Sequence, residues 1–378
     1  MQKHESSRGA TTRLQRIFKS VLAAGALGIC AAPASPTPSE AALALAPVTP
    51  AQSNDIIGVF APFGYQQPRA FTPYNMFSTV SLLDVLHRQY YAPVHAGYQL
   101  DISEPQWAND PRYAELVLNA NTGEIVYDRN GTAQRHIASM TKVMTIYMVF
   151  QAMEQGRITR DSVLTASAAA ASQECMCYGL KDGDTMTVNE ALHALLSMSY
   201  NDVAAMVGEN LGGSEAEFAR RMTDEAYKMG AVNTVLGSAS GLHDDNSTAL
   251  DIARIYNRIS QDYPDLYAEY FSPARISLDG RQRANCRLCD GGRNDANIGA
   301  TGQKTGTTNA SNRSVVAEVE RDGQRFIIVS MGTPSDKNRM ARVGELGRRT
   351  WAALPAIQAA TLMARTPQAA HAHRGTAI

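Results

Sequence analysis

The chain has 378 residues, 44% of them hydrophobic and 19% charged, a soluble globular composition with ample material for a core. A formal net charge of -1 and the lack of any long basic run remove the electrostatic case for nucleic acid as a partner. No run of about 18 apolar residues occurs, so no segment of the mature chain is expected to span a membrane.

Residues 1–34 read as an export signal. Arg13, Arg16 and Lys19 make a positive leader, residues 21–32 (VLAAGALGICAA) a short apolar core, and Ala32-Pro33-Ala34 a small-x-small cleavage site. The mature protein is therefore expected in the periplasm. Residues 35–109 read as a Pro/Ala-rich linker and an irregular N-terminal extension, with one short helix over 81–91. The main domain is expected over 110–365, followed by a disordered tail at 366–378.

Within that domain, AELVLNA and EIVYDRN flank an Asn-Thr-Gly turn and predict a β-hairpin. Residues 143–153 (VMTIYMVFQAM) are apolar on every side at helical spacing and predict a helix buried all round. Further helices are expected over 188–198, 202–211, 215–229 and 248–260, and a loop over most of 263–297. Three strands follow, near 302–307, 314–320 and 325–331, and then a helix over 335–365 with a possible break at Pro355. A strand pair before a helical middle and three strands after it predict an α+β fold, an antiparallel sheet flanked by helices.

Four cysteines lie beyond the leader, in two tight pairs: Cys175 with Cys177, and Cys286 with Cys289. An oxidising compartment favours disulfides. A bridge inside Cys-x-Cys would be strained, so cross-links between the two segments are expected. A four-thiolate zinc site is the alternative, and the pairing itself stays open.

Three motifs carry the chemistry. Ser139 and Lys142 are three apart and share one helix face, close enough for an amine to take a hydroxyl proton. Ser-x-x-Lys alone is weak, expected by chance roughly once in a chain of this length. Ser199-x-Asn201 and Lys304-Thr305-Gly306 change the balance. Each of the three patterns occurs once, and they follow in order. No His-Glu-x-x-His and no Gly-x-Ser-x-Gly is present, so neither a zinc peptidase nor an α/β-hydrolase is indicated.

In these motifs, in Ala138-Ser139-Met140-Thr141-Lys142, in Gly230 with Asn233-Thr234, and in Ser240-Gly241-Leu242-His243-Asp244 with Ser247-Thr248-Ala249, the chain resembles the serine-type D-alanyl-D-alanine carboxypeptidases, the low-molecular-weight penicillin-binding proteins. The resemblance covers about residues 113–333. It implies a β-lactamase/transpeptidase-like sheet with an all-helical subdomain. It also implies Ser139 as nucleophile, Lys142 as its base, Ser199 as proton relay and Asn201 as a support for lysine and substrate. Lys304, Thr305, Gly306 and Thr307 would bind substrate, with Gly306 letting it lie close to the edge strand. Lys142 could act as base only if burial and repulsion from Lys304 lower its pKa. No metal or cofactor is implied. The implied substrate is the peptidoglycan stem peptide ending in D-Ala-D-Ala, and β-lactam antibiotics are the implied covalent inhibitors. Endopeptidase or β-lactamase activity on the same site, or a non-catalytic wall-binding role, are the alternatives. Both cysteine pairs fall near the cleft rim by this resemblance, where a disulfide tying the loops together is expected. Tyr200 departs from the glycine common at the centre of the middle motif, and Leu236 and Ser238 depart from Phe and Asn.

Overall fold

The computed structural model describes residues 82–174, 176–289 and 298–365. The chain divides into two units, Met1–Phe77 and Ser78–Ile378, and every described residue belongs to the second. The expected leader, most of the linker and extension, the tail and Cys175 lie outside the described residues.

In chain order the elements are α1 (Leu82–Tyr90), β1 (Ala114–Asn119), β2 (Ile125–Arg129), β3 (Arg135–His136), a 3-10 turn (Ala138–Thr141) and α2 (Lys142–Glu154). Then come β4 (Val163–Thr165), α3 (Ala168–Ala171), β5 (Thr185–Thr187), α4 (Val188–Ser197), α5 (Asn201–Gly212) and α6 (Glu215–Lys228). The remainder is β6 (Asn246–Ser247), α7 (Ala249–Asp262), α8 (Pro264–Tyr270), β7 (Arg275–Leu278), β8 (Arg281–Ala284), β9 (Ala300–Thr308), β10 (Asn312–Arg321), β11 (Gln324–Thr333) and α9 (Asp336–Arg365).

One five-stranded antiparallel sheet, in the order β2-β1-β11-β10-β9, forms the centre. Its strands alternate with period two between two cores. Leu116, Leu118, Ile327 and Val329 face the helical subdomain, where α2, α4, α5 and α7 contribute. Val117, Val315, Ile328 and Phe326 face the opposite side, against α9 and the segment preceding β1. α2 is buried around its whole circumference from Lys142 to Phe150, because the helical subdomain wraps the side that the sheet leaves open.

Local chemistry sets the helix ends. Thr187 and Glu190 exchange side-chain and backbone bonds as a capping box that starts α4. Ser214 and Thr248 cap α6 and α7 by accepting from the amides of Glu217 and Asp251. Two expectations need correction. The stretch read as loop over 263–297 contains α8 and the β7–β8 hairpin, which strongly charged residues (RISLDGRQRA) had masked in the hydrophobic pattern. α9 also continues through Pro355, which lies on an exposed face of the helix.

The segment ahead of β1 has a structural task. Ile125 donates to the Val94 carbonyl, Ala96 to that of Ile125 and Leu100 to that of Val126. Those bonds cover the outer edge of β2, where an open row of amides and carbonyls invites pairing with another chain. α9 is held to the sheet by a buried ion pair: Arg342 donates to Glu115 through Nε at 2.8 Å and through Nη2 at 2.5 Å. Removing one member strands the other charge in the interior. Arg342→Met is therefore expected to destabilise the fold by about 3–5 kcal/mol, checked by urea unfolding against the wild-type chain.

Cys286 bridges Cys289, with Cα atoms 5.2 Å apart. This corrects the expected cross-link between the two cysteine segments and removes the four-thiolate alternative, because both sulfurs of the second pair are consumed locally. A turn closes this short loop, the Cys289 amide donating to the Cys286 carbonyl at 3.2 Å, so the partners meet without help from elsewhere. The Cys177 sulfur lies 3.0 Å from the Gln173 carbonyl.

Candidate active site

Ser139 sits in the 3-10 turn that leads into α2, and Lys142 is the first residue of that helix. The lysine is wholly buried. Its Nζ lies 3.0 Å from Ser139 Oγ, 2.8 Å from Asn201 Oδ1 and 2.6 Å from the Ser240 carbonyl. Asn201 is oriented by its own donor group, since Nδ2 gives a bond to the Glu174 carbonyl at 2.9 Å. Both Asn201 Oδ1 and the Ser240 carbonyl can only accept. A neutral amine must give its two protons to them, which turns its lone pair toward the Ser139 hydroxyl.

Burial provides the neutral amine. It pulls the Lys142 pKa down to about 7, against the opposing influence of Asp245, Glu215 and Asp202. Repulsion between the two lysines falls on Lys304 instead. That group is held well below its ordinary value by burial first, then by Lys142 and Arg339. The expected contribution of Lys304 to lowering Lys142 is thus corrected: the lysine that loses its proton more readily cannot repel the other where the other titrates.

Across the cleft, Lys304 on β9 donates to Ser199 Oγ and to the Thr305 carbonyl, both at 2.9 Å. All three motifs therefore converge on one place, joined by Lys142 to Asn201 and by Lys304 to Ser199. Backbone strain marks the two serines. Ala138, just before Ser139, has φ 49°, and Ser199 has φ 61°, a left-handed conformation that disfavours any residue with a Cβ. Tyr200 follows the strained Ser199. It is buried in the helical core, and its ring meets that of Tyr178 edge-on at 5.6 Å.

Gly306 has a packing role in the fold. A Cβ there would lie 2.7 Å from the Ile137 carbonyl and 3.2 Å from the Met140 amide, so its bareness lets β9 pack on the Ser139 turn. Thr307 follows it on the same edge strand, its hydroxyl donating to the Gly306 carbonyl at 2.8 Å.

Several groups here carry no motif. Ser238, one of the departures noted above, is a hub: its hydroxyl donates to Asp245 at 2.7 Å and accepts from the Gly241 amide at 2.8 Å. Asp202 is fully buried and accepts from the amides of Tyr178, Gly179 and Leu180, holding the loop that meets Asn201. Arg339 of α9 is buried behind β9, 3.4 Å from both the Gly306 carbonyl and Thr307 Oγ1, and its Nε has no partner among the described residues. The only local signal for these groups was the proximity of Ser238 and Asp202 to recognised segments. Arg339 had none. Among the described residues, no three His, Cys, Asp or Glu side chains are placed to hold a metal ion.

An antiparallel sheet flanked by helices, with a serine, two lysines and an asparagine where sheet and helical subdomain meet, is the α+β transpeptidase-like architecture of the penicillin-binding proteins. A D-alanyl-D-alanine carboxypeptidase from Mycobacterium tuberculosis superposes with a TM-score of 0.59 at 23% identity, covering 68% of this chain and 96% of that one. Penicillin-binding protein D2 of Listeria monocytogenes, in its ampicillin-bound form, gives 0.56 at 26%, covering 63% and 96%. The family model for D-alanyl-D-alanine carboxypeptidases, peptidase family S11, matches residues 105–335, and the chain belongs to that family. Among curated relatives, carboxypeptidase DacF of Bacillus subtilis is 28% identical over 239 residues, 61% of this chain and 60% of that protein. DacD of Escherichia coli is 28% identical over 243 residues, 62% of this chain and 61% of that protein. The match thus spans about three-fifths of each of these two relatives.

Proposed function

We propose that the protein is a serine D,D-carboxypeptidase that removes the terminal D-alanine from peptidoglycan stem peptides through an acyl-enzyme on Ser139. The observation that carries this reading is the orientation of Lys142, whose lone pair is left facing Ser139 by two obligate acceptors. The membership in family S11 supplies the substrate class.

In this mechanism Lys142 takes the hydroxyl proton as Ser139 Oγ bonds to the carbonyl carbon between the two D-alanines. The backbone N–H groups of Ser139 and Thr307 receive the developing oxyanion. The C–N bond then breaks, and the departing amine takes a proton relayed through Ser199. Water hydrolyses the resulting ester and restores the serine. Lys304 and Thr305 bind the terminal carboxylate, with the Arg339 charge behind them. A bound carboxylate would return to Lys304 the charge that burial withholds from it. The leader at residues 1–34 suits action in the periplasm, and no described helix is long and apolar enough to cross a membrane.

The test is intact mass after incubation with benzylpenicillin, beside a Ser139→Ala control. A persistent adduct on the wild-type chain, absent from the control, is expected. Rapid loss of drug without an adduct would indicate a β-lactamase. No adduct and no drug loss would overturn the catalytic reading in favour of wall binding.

A further inference from the structure

The carbonyl that helps turn Lys142 toward Ser139 belongs to a peptide group held on both sides. Ser240 offers its oxygen to Lys142 Nζ at 2.6 Å, and the N–H of that same peptide, on Gly241, donates to Ser238 Oγ at 2.8 Å. A planar peptide gripped at its oxygen and at its nitrogen cannot turn without breaking one of the two bonds. Ser238 is thus a single peptide away from the amine it steadies.

Asp245 decides how Ser238 can grip that peptide. Carboxylate Oδ2 only accepts, so it takes the one proton of the Ser238 hydroxyl, at 2.7 Å. The lone pairs of Ser238 Oγ are then left for the Gly241 amide and for the Ser240 hydroxyl, 3.3 Å away. Oδ1 accepts from the amides of Gly237 and Ser238, at 3.2 and 3.3 Å. Burial raises the pKa of this carboxyl, and the bonds from Ser238 and Gly237 oppose the rise. The Asp245 backbone carbonyl meanwhile accepts from the Ile137 amide at 3.2 Å, two residues ahead of Ser139. One residue therefore refers the base and the nucleophile to a common point. Ser238, Ser240 and Asp245 are all buried, so bulk water does not compete for these bonds.

We propose that Ser238 and Asp245 are positioning residues for the reaction, acting in series to hold the Ser240 carbonyl where it keeps the lone pair of Lys142 on Ser139. Neither touches the reacting atoms. This rests on the reading of Lys142 as the base. The charge of Asp245 has a second effect. It favours the ammonium form of Lys142, as do the charges of Glu215 and Asp202, while Lys304 faces the amine from across the cleft.

The test is the rate constant for acylation by benzylpenicillin, from pH 5 to 9, in wild type, Asp245→Asn, Ser238→Ala and the double variant. In Asp245→Asn the amide oxygen must serve the two backbone amides, which turns Nδ2 toward Ser238. The serine oxygen then faces three donors with two lone pairs and has to release one. Each single variant is expected to slow acylation about tenfold to a hundredfold, the cost of a misplacement of up to about 1 Å. The double variant should be no slower than the slower single one, because both substitutions cut the same chain of bonds. Loss of the Asp245 charge should also move the rise of the rate to lower pH, which a purely structural role would not do. The rate constant is read only on molecules that take up the drug, so an unfolded fraction does not enter it. Either single variant decides the rate, so failure of one to fold leaves the other as the test. Unchanged rates in the single variants, effects that multiply in the double variant, or a rise at the wild-type pH in Asp245→Asn would overturn the proposal and leave the carboxypeptidase reading standing. No adduct on the wild-type chain would overturn both.

Discussion

Replacing Lys142 with methionine is expected to slow acylation of Ser139 by benzylpenicillin about 10²–10⁴-fold, the usual contribution of a positioned general base. Methionine keeps the length and the apolar stem but offers no lone pair. In the wild-type chain the same rate should rise with pH through about 7, where Lys142 loses its proton, and level off above. The stability consequence has the opposite sign. Unfolded lysine holds its proton to about pH 10.4. Between about 7 and that value the unfolded chain carries one proton more than the folded one. The folded state is thus penalised in full below about pH 7, and the penalty fades as pH rises toward the unfolded value. Lys142→Met should therefore be more stable than wild type at pH 7, and the gap should narrow by pH 10. Stopped-flow acylation and urea midpoints at several pH values check both halves. An acylation rate flat from pH 5 to 9 would sink Lys142 as the base.

Gly241→Ala should remove most of the activity without touching a reacting group. Gly241 has φ +87°, so alanine there is strained by about 1–2 kcal/mol from its backbone alone. Its Cβ would also collide with the Ala138 carbonyl and lie 2.9 Å from the Ser139 amide. Neither side yields easily: Gly241 is bonded to Ser238, and Ala138 already has φ 49°. The remaining relief is to shift the Ser139 turn, and a displacement near 1 Å costs about 10²-fold in rate. Gly213→Ala is the comparison, because Gly213 has φ +80° but nothing within 4 Å of the added carbon. It should lose similar backbone stability and keep full acylation. If the two variants acylate alike, the contact at Ala138 does not position the serine.

The groups that touch the proposed reaction were readable because their side-chain types are themselves the chemistry. Serine, lysine, asparagine and the Lys-Thr-Gly run lie within tripeptides and a tetrapeptide, and they meet at hydrogen-bonding distance. What holds them there was not readable. The third contact of Lys142 is a backbone carbonyl, that of Ser240, which any residue type could supply. Arg339 approaches β9 from a helix that begins thirty-two residues after Lys304, with no local pattern to mark it. The cysteines misled for a related reason. Spacing restricts which bridges are possible, but the turn that brings Cys286 to Cys289 is a matter of conformation.

By itself the sequence determined the strand pair, the buried helix after Ser139, the closing hairpin and the order of the motifs, since hydrophobic period and turn residues act over a few neighbours. It did not determine the β7–β8 hairpin, in which β7 alternates over only four residues and the charged β8 lacks the period, or the uninterrupted course of α9. Only the tertiary structure decided how deeply Lys142 is buried, and hence that its amine can be neutral near pH 7. Desolvation is a property of everything packed around a group, here two helices, a strand and a loop far apart in the chain, and no short window of residues contains it.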